Sequence, residues 1–379
     1  MKPSTLAFAA AVAATAFVSS VSSATICSAV KPYAYTTAAK QYPELKNALE
    51  VMKTNAIATW YIDTYNADIK GLLAACTNAI PSIVIYGLPN KDCGPGGFSQ
   101  GGGNKNTADY SAWIQKLVDV GDREVIYILE PDAIGFASRD TGCGATYNYA
   151  ANLKVAVGLL SANKNAHLYV DLSPWATQAS AVKILKDLMA AGNLAGLALN
   201  TDQYLSNDKL TKLCQTYSTA LGGNLHCVFD TSRNYNGFPQ SEWCNARSGG
   251  VGLPPTDQTA TRCDGQCTGQ SSDAMVGPGA GQFFADHFKV LWNQGYYVKE
   301  LNYPLIGSND TWPSPSTPSS SAPTPSTSSA KPTTAGPAPP TVNPTTAPPT
   351  FPTVQPSPST AQPTVKPSPS TAAPTTKPL

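Results

Sequence analysis

The chain has 379 residues, enough for one large domain with extensions. Its formal net charge is +1 without a basic cluster, which gives a nucleic-acid partner no electrostatic support. With 3 histidines and a single tight cysteine pair, Cys263 and Cys267, a Cys/His zinc cage is not expected, nor is any other metal or cofactor.

Lys2, the apolar run Leu6–Val18 and the small residues Ser22, Ser23 and Ala24 read as a secretory signal peptide, residues 1–24, cleaved near Ala24 and Thr25. That run falls short of the roughly 20 apolar residues that cross a bilayer, and no later stretch is apolar enough. The 9 cysteines fit the oxidising compartment that export implies, and their odd number leaves one thiol over or paired between chains.

Residues 25–308 form a candidate domain of about 280 residues, near the usual size of a (β/α) barrel. Short apolar runs recur along it: Ser82–Tyr86, Val125–Leu129, His167–Val170, Gly196–Leu199 and His226–Phe229. Helix-like stretches lie between them, among them Tyr147–Leu160, Ser180–Ala191 and Leu210–Leu221. Trp113 and Trp292 fall in helical patterns and are assigned to the core. Strand alternating with helix predicts a parallel sheet, hence an α/β barrel or a doubly wound sheet. After Trp312, from Pro313 to Leu379, the chain becomes almost entirely Pro, Ser, Thr and Ala, a composition that cannot bury a core, and residues 309–379 read as a disordered stalk. The sequon Asn309-Asp310-Thr311 stands at that boundary.

The runs share one feature. Four of the five end on a polar residue, Glu130-Pro131-Asp132, Asp171, Asn200 and Asp230, and the first leads through Leu88-Pro89 to Asp92. Any one of these could be an ordinary turn or cap residue. Together they place polar groups at the carboxyl ends of successive strands, where parallel α/β enzymes build their sites. Paired carboxyl groups in a mostly apolar setting can divide into general acid and assisting base, the minimal apparatus for cleaving a glycosidic bond.

The strings Tyr86-Gly87-Leu88-Pro89-Asn90-Lys91-Asp92-Cys93 and Ile126-Tyr127-Ile128-Leu129-Glu130-Pro131-Asp132-Ala133-Ile134 resemble the two signature regions of glycoside hydrolase family 6, the cellobiohydrolases and endoglucanases. Leu199-Asn200-Thr201, Asp230-Thr231-Ser232-Arg233-Asn234 and Glu242-Trp243-Cys244 match in the same order, and the similarity returns at Gly279–Phe283. The resemblance implies a distorted (β/α) TIM-like barrel of parallel strands with its cleft at their carboxyl ends. It implies a secreted, monomeric enzyme acting on β-1,4-glucan with inversion. Position by position, Asp132 matches the proton donor and Asp92 the aspartate that supports it and assists the water. Tyr86 matches the tyrosine that presses the reacting sugar out of its chair, and Ser99 the loop serine that helps hold the water. Trp60, Asp171, Trp175, Asn200 and Trp243 correspond to substrate-binding positions, the indoles offering flat faces to glucose rings. Cys93 and Cys143 match one family disulfide, and Cys244 half of a second, with Cys267 or Cys263 as its partner.

Four departures stand out against the family. Lys91 replaces the arginine before Asp92, losing a bidentate fork. The segment Asp171–Trp175 is shorter than usual and lacks a sugar-binding histidine. No strand-like run appears between Gly252 and Gly281, and the lysine and glutamate found there in the family are missing. Asp264 matches the proposed catalytic base without that support. Short stretches after Asp132 and Asp264 favour an open cleft and internal cutting. A non-enzymatic alternative is a family 6 fold that binds wall glucan or serves as a surface protein. Gly97-Phe98-Ser99-Gln100-Gly101 also fits the serine-hydrolase elbow, but no strand precedes it, and His167 and His226 lie at strand beginnings.

Overall fold

In the computed structural model, residues 26–313 are described, except 65–67, 95–96, 98–101, 120, 202, 224, 239–241, 243, 255–271 and 279–281. The expected signal peptide, most of the Pro/Ser/Thr-rich segment, Ser99, Trp243, Cys263, Asp264 and Cys267 lie outside the described residues. All described residues belong to the unit Met1–Ser320; the second unit, Ser321–Leu379, lies outside them.

Six strands carry the fold: β1 Thr59–Ile62, β2 Ser82–Tyr86, β3 Val125–Leu129, β4 Ala166–Leu172, β5 Gly196–Leu199 and β6 His226–Phe229. They lie in the order β1-β2-β3-β4-β5-β6, and every neighbouring pair is parallel. A doubly wound sheet reverses its strand order at a switch point; this one does not, which is the order of a barrel wall. Helices make the crossovers: α3 Ile69–Ala75, α4 Thr107–Val118, α5 Ala133–Ala137, α6 Cys143–Thr146, α7 Tyr149–Leu160, α8 Gln178–Ala191 and α9 Asn207–Ala220. Among the described residues no helix is long and apolar enough to cross a membrane.

Strand alternation sorts the side chains into two layers. Ile83, Ile85, Tyr127, Leu129, Leu168, Val170, Leu197 and Leu199 face the crossover helices in the main core. The intervening residues meet on the other face, where Val84, Ile128 and Ala198 cluster with Trp60, Tyr169 and Val228. One small cluster drawn from all six strands requires the sheet to curl around it, as a barrel does. Both faces are therefore covered, which is why all five residues of β2 are buried.

A second core lies apart from the sheet. Helices α1 Tyr33–Gln41 and α2 Lys46–Met52 pack on α10 Ala285–Asn293 and α11 Tyr296–Lys299. Trp292 is fully buried there and stacks on Tyr297 with ring centroids 5.1 Å apart, while Asn55 donates to the Tyr297 hydroxyl at 2.6 Å. Trp312 closes the cluster, 5.6 Å from the Trp292 ring.

Gly196 opens β5 opposite His226, and a Cβ there would stand 2.0 Å from the His226 carbonyl oxygen. The obstacle is backbone, which cannot swing aside. Gly196→Ala is expected to destabilise the fold by about 1–3 kcal/mol or more, read as a lower urea midpoint.

Candidate active site

The strand exits bear the features that make this end of the sheet a site. Five of the eight described non-glycine residues at positive φ, Asn90, Asp92, Glu130, Asp132 and Asn200, follow β2, β3 and β5. Backbone held in this region costs about 1–3 kcal/mol per residue and persists where surroundings over-determine it. For Glu130, Asp132 and Asn200 the surroundings are hydrogen bonds between neighbouring exits, and the Tyr149 hydroxyl of α7 donates to the Asn90 carbonyl at 2.6 Å.

Asp132 caps α5 in the left-handed conformation, with φ 65°. Its amide donates to Asp171 Oδ1 at 2.8 Å, and its Oδ1 accepts from the Ser173 hydroxyl at 2.8 Å. Asp171 is buried at the end of β4, so the residues after β4 hold Asp132 from both its backbone and its side chain.

Tyr86 ends β2, and its ring meets Trp60 of β1 edge-on at 5.6 Å. The chain then passes Gly87, where a Cβ would stand 2.5 Å from the Trp113 ring, and reaches Lys91 and Asp92. Lys91 is buried; its ammonium binds Asp63 Oδ1 at 2.5 Å and lies 5.7 Å from the centre of the Tyr86 ring. The other Asp63 oxygen accepts the Asn104 amide at 2.8 Å. Just past Asp92, Cys93 is bonded to Cys143 of α6, and Gly94 comes close enough to Phe136 of α5 that a Cβ would overlap its ring. The Asp92 segment is thereby fastened to α5 and α6, the helices that follow Asp132.

Trp175 is half-buried beside α5, with Phe136 at 5.1 Å and the Arg139 guanidinium 4.8 Å from its ring centre. Asn200 is buried, and its amide bridges two backbone groups: Nδ2 donates to the Asp230 carbonyl at 2.7 Å and Oδ1 accepts the Leu205 amide at 2.9 Å. That makes Asn200 a brace between β5 and β6. Tyr86, Asp92, Asp132, Asp171, Asn200 and Asp230 all lie at strand ends or in the segments just beyond them, the carboxyl side of the sheet.

A family model described as "Glycosyl hydrolases family 6" matches residues 15–295. The chain belongs to glycosyl hydrolase family 6. Among curated relatives, Endoglucanase A of Thermobispora bispora is 31% identical over 228 residues, 57% of this chain and 49% of that protein. Endoglucanase 1 of Streptomyces sp. (strain KSM-9) is 33% identical over 211 residues, 52% of this chain and 57% of that protein. The chain thus spans about half the length of the curated relatives it matches. Among solved structures, cellobiohydrolase II (Cel6A) from Humicola insolens, in complex with glucose and cellotetraose, superposes with a TM-score of 0.60 at 19% identity, covering 70% of this chain and 96% of that one. The endoglucanase Cel6 from Mycobacterium tuberculosis, in complex with a methyl-cellobiosyl-thio-cellobioside, gives 0.56 at 23% identity, covering 72% and 97%. At these identities the structures establish the fold.

Within the family 6 frame, Asp63 and Ser173 escaped sequence reasoning, and Glu130, legible there as a polar strand end, was given no role. Asp63 follows β1, a strand whose mixed residues Thr59-Trp60-Tyr61-Ile62 carry no aliphatic run. Ser173 lies two residues beyond Asp171 and was detectable only by its nearness to that exit. Glu130 is fully buried; its carboxyl accepts from the Gly87 amide at 3.0 Å, the Leu88 amide at 3.2 Å and the Tyr110 hydroxyl at 2.9 Å. Farther along, Asp273 accepts the Ser248 amide at 3.0 Å, and Glu242 accepts the Cys244 amide at 2.8 Å. Cys244 is disulfide-bonded. Two further disulfides, Cys27–Cys76 and Cys214–Cys227, had no counterpart in the sequence reading.

Burial pushes the Glu130 carboxyl up to about 8, against the pull of the Gly87 amide, the Tyr110 hydroxyl, the Leu88 amide and the Lys91 charge. Burial likewise pushes His287 down to about 4; Arg233 and Arg247 add to that, and a hydrogen bond to the Ala246 carbonyl opposes it. The two act at opposite ends of the pH scale. Folded Glu130 holds a proton that the unfolded chain releases, so its contribution is full below its ordinary value of 4.5 and is lost as pH rises through about 8. Neutral His287 contributes above its ordinary value of 6.5, and that contribution is lost as pH falls through about 4. Urea midpoints of the parent should therefore fall between about pH 5 and pH 8 on Glu130's account, by on the order of a few kcal/mol in stability. Glu130→Gln should flatten that limb and leave the acid limb intact.

Proposed function

We propose that this chain is a secreted, monomeric hydrolase of β-1,4-glucosidic bonds in cellulose or a related β-glucan, inverting in its stereochemistry and cutting internally. The observation that carries the reading is the grip on Asp132: the Asp171 carboxylate accepts from its amide and the Ser173 hydroxyl donates to its carboxyl oxygen, both at 2.8 Å. A carboxyl group so held can present a proton to a glycosidic oxygen in one fixed direction.

In this reading Asp132 gives its proton to the leaving oxygen as the bond from that oxygen to the anomeric carbon breaks. A water assisted by Asp92 attacks that carbon from the opposite face and gives its proton to the candidate base, Asp264, which releases it to solvent. One water is consumed, and the acid is restored from solvent. Tyr86 presses on the reacting ring, Trp60, Trp175, Asn200 and Trp243 line the sugar sites, and Ser99 steadies the water. Asp264 is the candidate base by resemblance, without the lysine and glutamate that support it in the family. The endoglucanase names among the relatives and the cello-oligosaccharides in the two solved structures support a glucan substrate. The short span from Asp132 through α5 to Cys143 supports an open cleft. Three disulfides among the described residues support passage through an oxidising compartment, with residues 25–308 as the catalytic domain.

Asp132→Asn should lower turnover of a soluble β-1,4-glucan by about 10²–10⁴-fold and spare aryl cello-oligosaccharides whose leaving group needs no proton. Equal loss on both substrates makes Asp132 structural. Asp264→Ala should cost less than Asp92→Ala or Asp132→Asn. Proton NMR of the first products should show the α-anomer; a β-anomer appearing first rules out inversion.

A further inference from the structure

Glu130 is a buried acid to which the reaction above assigns no step. We propose that it is a positioning residue: its carboxyl group fixes the exit of β2, and with it Tyr86 and Asp92, against the exit of β3, where Asp132 stands. This rests on the hydrolase reading for its catalytic consequence.

Two properties of Glu130 join the exits. Its side chain takes the amides of Gly87 and Leu88, the first two residues beyond Tyr86. Its backbone continues β3: the Glu130 amide donates to the Ile85 carbonyl at 2.8 Å, and its carbonyl accepts the Ala133 amide at 3.1 Å, closing the turn that contains Asp132. One residue therefore touches the segment before Asp92 and the turn of Asp132. The Gly87 peptide has little room to shift, since Asn104 Nδ2 donates to the Gly87 carbonyl at 2.7 Å and the Trp113 ring blocks the Cβ direction. The third donor, Tyr110, comes from α4 and is itself fully buried.

Packing alone does not account for an acid here. An apolar side chain of this size would avoid the desolvation of a carboxyl group but would leave two buried amides without an acceptor, at about 1–3 kcal/mol each. Glutamate reaches both amides and the phenol at once. A displacement of about 1 Å at the β2 exit would move Tyr86 and Asp92 together, and misplacement on that scale can cost about 10²-fold in rate.

The test compares the parent with Glu130→Gln, Tyr110→Phe and, as a control, Glu124→Gln, whose half-exposed carboxyl pairs with His167 just before β3 begins. Glu130→Gln is expected to lower kcat by about 10–10²-fold with KM within a few-fold. The loss should appear equally on soluble glucan and on aryl cello-oligosaccharides, because a good leaving group does not relieve a misplaced water and sugar ring. Glu124→Gln should match the parent. In nitrogen-15 NMR the Gly87 and Leu88 amides of the parent should titrate with Glu130, and that titration should vanish in Glu130→Gln. An unchanged kcat in Glu130→Gln, a loss confined to soluble glucan, or Gly87 and Leu88 shifts that persist in the variant would overturn the proposal. If Glu130→Gln does not fold, Tyr110→Phe decides: a several-fold kcat loss on both substrates supports the clamp, and an unchanged kcat overturns it. A parent that folds but turns over neither substrate defeats the hydrolase reading, while the amide titration still decides the clamp.

Discussion

A parallel strand that ends must leave backbone amides and carbonyls without their ladder partners, and buried groups of that kind are costly. In this chain side chains from one strand exit satisfy the backbone of a neighbouring exit. Asp63 after β1 accepts the Asn104 amide, Glu130 after β3 accepts Gly87 and Leu88 after β2, Asp171 of β4 accepts Asp132 after β3, and Asn200 after β5 donates to the carbonyl of Asp230 after β6. The sheet is extended past its last ladder bond by a belt of side-chain hydrogen bonds. The acids and amides of the belt are structural necessities first, and the candidate chemistry occupies the same place because polar groups must gather there.

That economy explains the buried charge. Lys91 and Asp63 form an ion pair with almost no solvent around either side chain, an arrangement whose desolvation can exceed its Coulomb gain. Asp63 offsets it by taking one ammonium proton and one backbone amide on separate oxygens. The role a guanidinium fork would fill is divided between a lysine and Asn104, which fastens the Lys91 substitution to the segment that runs into α4.

Much of this was legible in the sequence, and the reason is periodicity. Four of the five apolar runs coincide with strands residue for residue, because each is bounded by turn residues, and three of the four, β2, β3 and β5, are buried along almost their whole length. Tyr86, Glu130, Asp171, Asn200 and Asp230 follow the same alternation as the inward residues Val84, Ile128, Tyr169, Ala198 and Val228, so the apolar pattern also indicated which polar residues belong to the cleft end. β1 escaped because Trp60 and Tyr61 point to opposite faces and neither is aliphatic. The cross-exit bonds escaped because they join residues about 40 apart, and spacing along a chain does not reveal which neighbour's amide an acid will meet. α7 begins at Tyr149, two residues later than its apolar pattern, since Asn148 adopts a left-handed turn.

The second core has a consequence for the order in which the molecule assembles. Its halves come from the first and last described helices, and the Asn55–Tyr297 bond spans 242 positions. The barrel wall pairs each strand with the next one synthesised, so it can form progressively, whereas α1 and α2 must wait for Trp292 and Tyr297 to arrive. Until then Tyr35, Leu49 and Met52 lack the apolar partners that Phe288, Leu291, Trp292 and Tyr297 supply, and an emerging chain leaves that part of their surface open. The end of the domain is thus a latch, and a chain cut short before Trp292 would keep its strands and leave its first helices open to association.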